Sequence, residues 1–139
     1  MNGRILGIDY GDVRTGLALS DLLGLTAVGL KTVKAEGRRK LVAEIKAVVE
    51  EHGVTSIVLG DPVNMDGSHG ERSQKAHDFA EQLRKSTGLP VALLDERCTT
   101  IAAHTILNVT DTRGKKRKDV IDTLSAEIIL QNYMDSLKK

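Results

Sequence analysis

Three acidic positions stand where apolar, strand-like runs end: Asp9 after residues 4–8, Asp61 after residues 56–60, and Asp95-Glu96 after residues 91–94. Open sheets with helical crossovers bind ligands beyond the carboxyl ends of their strands. A strand-end Asp taken alone serves as a turn residue or a helix cap, but three on one sheet edge exceed what turns require. A fourth carboxylate, Asp122, lies on the helical line Asp122, Ser125, Ala126, Ile129, Tyr133. The small and apolar members of that line predict packing against a sheet. A carboxylate there is costly unless it is paired or metal-bound. Two arrangements meet that condition: pairing with a cation such as Arg97, or a carboxylate cluster neutralised by divalent ions. Like charges a few ångströms apart repel, and a bound cation removes the penalty. Hard oxygen donors without His or Cys support favour Mg²⁺ or Mn²⁺ over zinc.

A second feature is basic. Arg113, Lys115, Lys116, Arg117 and Lys118 stand directly before the last helical pattern. Such a run is commonly a solvated face, but cations at a helix N-terminus oppose the macrodipole. Helix stability therefore does not explain them, whereas a phosphate backbone does, because each neutralised phosphate releases counterions. Phosphate-binding Gly-x-x-x-x-Gly-Lys-Ser/Thr and dinucleotide Gly-x-Gly-x-x-Gly loops are both absent. The four histidines (His52, His69, His77, His104) form no His-Glu-x-x-His pair and read as surface residues. Only His69 falls in a loop near the acidic positions. Cys98 has no evident base and reads as buried under a helix.

The elements that must hold these residues follow from apolar periodicity. Residues 4–9, 15–19 and 26–33 alternate as short strands separated by tight turns, the pattern of an antiparallel meander. Leu41, Val42, Ile45, Val48 and Val49 form one helix face over residues 38–51, with Gly53 as its stop. Residues 56–60 are continuously apolar, as in a strand buried on both faces. Ser68 and Glu71 have capping-box spacing ahead of a helix through Ala76, Phe79, Ala80 and Leu83. Gly88 and Pro90 close that helix, and residues 91–95 form another buried strand. Thr99 or Thr100 caps a helix to about residue 109, a polar connector spans 110–118, and a last helix runs from about 119 to 137. The order β-β-β-α-β-α-β-α-α predicts a mixed sheet flanked by helices, in a single α/β domain over residues 1–139.

Composition narrows the partners. Lys plus Arg (20) nearly balances Asp plus Glu (19), so a nucleic-acid surface must be a local patch. Phe79, Tyr10 and Tyr133 are the only aromatics among 139 residues, too few for a base-stacking platform. One cysteine excludes an internal disulfide or a Cys-based zinc cluster. No apolar run approaches the roughly 18 residues that span a bilayer, and the N-terminus lacks a signal-peptide pattern. The expected location is the cytoplasm, with no membrane association.

Four motifs in order carry a resemblance over nearly the whole chain: Gly7-Ile8-Asp9-Tyr10-Gly11 with Arg14-Thr15-Gly16-Leu17-Ala18-Leu19-Ser20-Asp21; Gly60-Asp61-Pro62 with Asn64-Met65-Asp66-Gly67; Asp95-Glu96-Arg97 with Thr99-Thr100; and Lys116-Arg117-Lys118 with Asp122, Ser125-Ala126 and Ile129-Leu130-Gln131. Together they resemble the YqgF (RuvX-like) family of bacterial RNase H-like nucleases. The resemblance implies an RNase H-like fold, a five-stranded mixed sheet whose first three strands are antiparallel, with helices on both faces. It also implies a catalytic, metal-binding triad of Asp9, Glu96 and Asp122. Asp61 departs from the family, which commonly carries an apolar or aromatic residue there; it is left outside the triad, either joining the metal site or facing water.

The implied chemistry is phosphodiester hydrolysis assisted by two Mg²⁺ or Mn²⁺ ions, one activating water and one stabilising the leaving oxygen. Asp9, expected at the centre of the sheet, would bridge both ions. Arg14, Arg97, Arg113, Lys115, Lys116, Arg117 and Lys118 would hold backbone phosphates. Two substrates fit the family: the 5′ end of the pre-16S ribosomal RNA, with ribosomal particles as further partners, and a four-way (Holliday) DNA junction. The RNA reading is favoured, because a resolvase needs paired cuts and hence a dimer, and no dimerisation stripe is evident; the expectation is a monomer or weak homodimer. A non-catalytic nucleic-acid-binding module is opposed by the intact carboxylates. An actin- or hexokinase-like ATPase, suggested by Asp-x-Gly at a strand end, needs two such domains.

Overall fold

The structure is a computed structural model describing residues 3–11, 14–22, 26–34, 36–62, 66–95 and 114–137, with side chains of the last segment from Thr123 onward. Five strands and three helices follow in order: β1 (Arg4–Asp9), β2 (Thr15–Ser20), β3 (Ala27–Val33), α1 (Arg38–His52), β4 (Val54–Asp61), α2 (Glu71–Thr87), β5 (Val91–Asp95) and α3 (Gly114–Leu137). The helix expected between residues 99 and 109 lies outside the described residues.

The strands form one sheet in the order β3-β2-β1-β4-β5. Pairing is antiparallel from β1 to β2 and β2 to β3, and parallel from β1 to β4 and β4 to β5. Asp9 pairs with Gly16, Thr15 with Val33, Ile8 with Leu59 and Asp61 with Asp95. The carboxyl ends of β1, β3, β4 and β5 therefore share one edge, as the acidic strand ends had implied.

Each face of the sheet has its own core. On one, Leu6, Ile8, Leu17, Leu19, Ile57, Leu59 and Val91 pack against Leu41, Val42, Ile45 and Val48 of α1 and Ala76, Phe79, Ala80 and Leu83 of α2. On the other, Ala18 and Val58 meet Ala126, Ile129, Leu130 and Met134 of α3. Ile57, Val58 and Leu59 are buried in succession, which explains why β4 shows no polar alternation. Gly53 and Gly88 end α1 and α2 in the left-handed conformation, each donating its N–H back into the last turn.

Gly7 sets the approach of α3. A Cβ there would lie 2.7 Å from Leu130 Cβ and 3.0 Å from the Ala126 carbonyl oxygen. Gly7→Ala should lower stability by about 1–3 kcal/mol, the range for overpacking a filled core, measured from urea midpoints. A variant as stable as the wild type would show that α3 has slack at this position.

Two local expectations are corrected. Gly70, not Ser68, is the N-cap of α2, and it makes no side-chain cap bond. Ser68 instead turns to Asp66, whose Oδ1 accepts from the Ser68 N–H at 2.9 Å and from its hydroxyl at 2.7 Å. An Asp two residues upstream offers a closer acceptor than the helix offers a donor. The last helix begins at Gly114, so residues 115–118 lie in its first turns and not in a connector. Lys and Arg are good helix formers, and neither Gly nor Pro separates them from the apolar helical pattern of residues 120–137.

Candidate active site at the carboxyl end of the sheet

Asp9 closes β1, and the β1–β2 turn comes immediately after it. Gly11 makes that turn possible: a Cβ on it would lie within 2.3 Å of the Arg14 carbonyl oxygen. Its N–H donates to Thr15 Oγ1 at 3.5 Å. Arg14 thus stands at the same edge as Asp9, half-buried.

Strand alternation assigns Asp9 a face. Ile5 packs with the α3 core and Gly7 lies under α3, so Asp9, next in that series, is on the α3 side. The direction of α3 is set by its hydrogen bonds to β3. Gln131 Oε1 accepts from the Ala27 N–H at 3.1 Å and Glu127 Oε1 from the Gly29 N–H at 2.7 Å. Falling helix numbers thus match rising β3 numbers, and the N-terminal turns of α3 approach the edge where β1 ends. Position 122 lies one helical turn before Ala126 on that approach. Ser125, Ala126 and Ile129 of the line read from the sequence are buried, as expected.

Ser125 Oγ is buried and has no hydrogen-bond partner among the described residues. It sits three residues from Asp122, where a polar or ionic neighbour would resolve its desolvation. Asp9 at the strand end and the Ser125 hydroxyl on α3 offer oxygen donors, the kind that hard divalent cations take. Glu96, Arg97 and Arg113 lie outside the described residues, as does Cys98. Residues 115–118 and 122 are placed on α3 by backbone alone.

Asp61 neither joins this site nor faces water. It shares parity with Ile57 and Leu59, on the α1–α2 side, and is only 5% exposed. Its Oδ1 accepts from Ser73 Oγ at 2.6 Å, and its Oδ2 lies 2.9 Å from His77 Nε2 and 3.6 Å from His69 Nδ1. His77 is at the surface, as its sequence reading had it, with the ring half-exposed, and its Nε2 is committed to Asp61. Asp61, His69 and His77 form a group that could hold a metal ion. The sequence carried a signal for it, since His69, Ser73 and His77 recur every four residues.

A further basic set lies at the starts of α1 and α2. Arg38 and Arg39 open α1, which has no acidic residue in its first turn and no side-chain cap at Gly37. Arg72 opens α2, with Lys75 one turn on. Both helices start at the edge where β1 and β4 end. The macrodipole argument applied to residues 113–118 also identifies Arg38 and Arg39.

Residues 3–136 match the RuvX family, described as Holliday junction resolvase. The chain belongs to the RuvX family. Among curated relatives, the "Putative pre-16S rRNA nuclease" of Clostridioides difficile is 47% identical over 135 residues, spanning 97% of this chain and 96% of the relative. The protein of that name from Geobacillus kaustophilus is 44% identical over 135 residues, 96% of this chain and 98% of the relative. RuvX membership and these relatives together make the chain a nuclease, a hydrolase of phosphodiester bonds. Among solved structures, Thermus thermophilus RuvC in complex with a Holliday junction substrate superposes with a TM-score of 0.62 at 15% identity, covering 98% of this chain and 96% of that one. The Fowlpox virus resolvase bound to Holliday junction DNA gives 0.55 at 13% identity, over 98% and 99%. At such identities the likeness concerns the fold, which is RNase H-like as the RuvX motifs implied. No helix among the described residues is long and apolar enough to cross a membrane.

Proposed function

We propose that this RuvX chain trims the 5′ end of pre-16S ribosomal RNA, using Asp9, Glu96 and Asp122 as catalytic carboxylates that hold Mg²⁺ or Mn²⁺. The observation that carries the site is the convergence of Asp9 and the N-terminal turns of α3 on one face and one edge of the sheet. Glu96 is supported by the RuvX-like motif Asp95-Glu96-Arg97, which begins in sequence at the last residue of β5. The curated relatives' name supports the RNA substrate. Bound divalent metal would supply an activated water and stabilise the leaving oxygen. The chain's own part is to converge three carboxylates at one point and to hold the substrate backbone in line. Arg14, Arg97, Arg113, Lys115, Lys116, Arg117 and Lys118 bind phosphates flanking the cut, and Arg38, Arg39, Arg72 and Lys75 extend that basic margin along the same edge.

In this reading, residues 1–139 act as one domain, a monomer or weak homodimer, in the cytoplasm where ribosomal particles mature. The family description supports a second reading, resolution of a four-way DNA junction. The two separate on labelled substrates incubated with Mg²⁺ or Mn²⁺: a pre-16S RNA 5′ end and an immobile four-way junction. The expected result is cleavage of the RNA, absent in the triple variant Asp9→Asn, Glu96→Gln, Asp122→Asn. Paired cuts in the junction with intact RNA would transfer the assignment to a resolvase, and binding without cleavage of either would leave a non-catalytic module.

The basic run has its own readout. Replacing Lys115, Lys116 and Arg117 with Ala should reduce the slope of log affinity against log salt by about 2, at roughly 0.7 for each single-strand phosphate that these side chains neutralise. Filter binding across a KCl series measures it. An unchanged slope would remove these residues from the interface.

A further inference from the structure

Asp61, His69 and His77 lie on the sheet face opposite Asp9, and the nuclease reading does not use them. We infer that they form a second metal site, selective for a divalent transition ion of the zinc type and distinct in chemistry from the carboxylate centre. The three side chains come from the end of β4, the loop before α2 and the second turn of α2. Their ligand atoms all lie within 4.8 Å of one another. Asp61 Oδ2 is the common corner, 2.9 Å from His77 Nε2 and 3.6 Å from His69 Nδ1. A tetrahedral zinc ion with bonds near 2.0–2.2 Å separates its ligand atoms by about 3.4 Å, a spacing these two distances straddle.

The surroundings favour an ion over a simple hydrogen-bonded carboxylate. Ser73 Oγ donates to Asp61 Oδ1 at 2.6 Å, which orients the carboxylate and leaves Oδ2 turned to the two imidazoles. That is the supporting hydrogen bond characteristic of a carboxylate ligand. The rings stand edge-to-face, 5.8 Å between centroids, so they approach Oδ2 from different directions. The His69 and His77 side chains are 58% and 44% exposed; an ion can enter from solvent and keep an open coordination position. Neutral imidazole donates one ring nitrogen to a metal while the other keeps its proton. Binding therefore costs the Nε2–H bond of His77 to Asp61 and the 2.7 Å hydrogen bond between His69 Nδ1 and Ser73 Oγ. Two imidazoles with one carboxylate suit zinc and disfavour Mg²⁺, which takes oxygen ligands. Such an ion ties the loop at residues 66–70 to the end of β4, beside the catalytic edge.

The test uses the full chain stripped of metal, with Co²⁺ and Zn²⁺ as probes. The wild type should bind one Co²⁺ with the visible absorption of a four- or five-coordinate ion, and Zn²⁺ should raise its melting temperature. The double variant His69→Gln, His77→Gln should lose that absorption and bind Zn²⁺ at least about 100-fold more weakly, beyond the loss typical of a supporting residue. Asp9→Asn should retain both signals. Both histidines are partly exposed, so melting without metal confirms that the double variant folds. Undiminished Zn²⁺ binding by the double variant, or no binding by the wild type, would overturn the inference.

Discussion

Asp9→Asn should reduce metal-dependent cleavage by about 10³-fold or more while leaving the fold intact. The magnitude comes from the several kcal/mol of charge stabilisation that a catalytic metal supplies, at 1.36 kcal/mol per decade of rate. Asn preserves the volume and removes the charge, so the effect falls on metal affinity and not on packing. Asp9 terminates β1 between Ile8, in the core, and the turn that Gly11 closes over Arg14. Its backbone pairs with Gly16 whatever the side chain. The readouts are single-turnover cleavage of the RNA substrate and thermal melting by circular dichroism. A cooperatively folded variant within tenfold of wild-type rate would remove Asp9 from the chemistry.

Phe79→Ala should produce the largest loss of stability, about 3–5 kcal/mol. The ring is fully buried and stacks on Tyr10, with centroids 4.3 Å apart and planes 19° from parallel. It is the one Phe in the chain and fills the space between α2 and the sheet beside Leu6, Ile8 and Leu59. Of the two other aromatics, Tyr133 packs with the opposite core and only Tyr10 borders the cavity. A typical domain is stable by about 5–15 kcal/mol, so this one change removes a large share. Tyr10 follows Asp9 directly, and losing the ring behind it loosens the end of β1. Activity should therefore fall even under conditions where the variant is folded. Urea denaturation measures the first effect; a loss below about 1 kcal/mol would mean that the site repacks.

Most of the fold was legible because its elements carry clean periods. The 3-4 spacing of Leu41, Val42, Ile45 and Val48 gave α1, and Gly53 and Gly88 marked the ends of two helices where the left-handed conformation requires them. The carboxylate edge was legible from Asp9, Asp61 and Asp95 alone, since β1, β4 and β5 are parallel. The orientation of Asp61 was hidden by the property that identified its strand. Ile57, Val58 and Leu59 are buried on alternate faces, so no polar alternation indicates which face residue 61 occupies. Ser68 had the spacing of a cap but a nearer acceptor in Asp66. The basic run reads as a connector by charge, although Lys and Arg favour a helix by propensity.

The account rests on divalent metal held at the end of β1, on the α3 face. Backbone amide spectra of the isotope-labelled chain, titrated with Mn²⁺, test this most directly, because the ion broadens signals according to distance. The predicted result is broadening centred on Asp9, with Gly11, Gly16 and Gly60 of the adjacent β4 next, and lost in Asp9→Asn. Broadening centred on Asp61, His69 and His77 alone, or unchanged by Asp9→Asn, would contradict it.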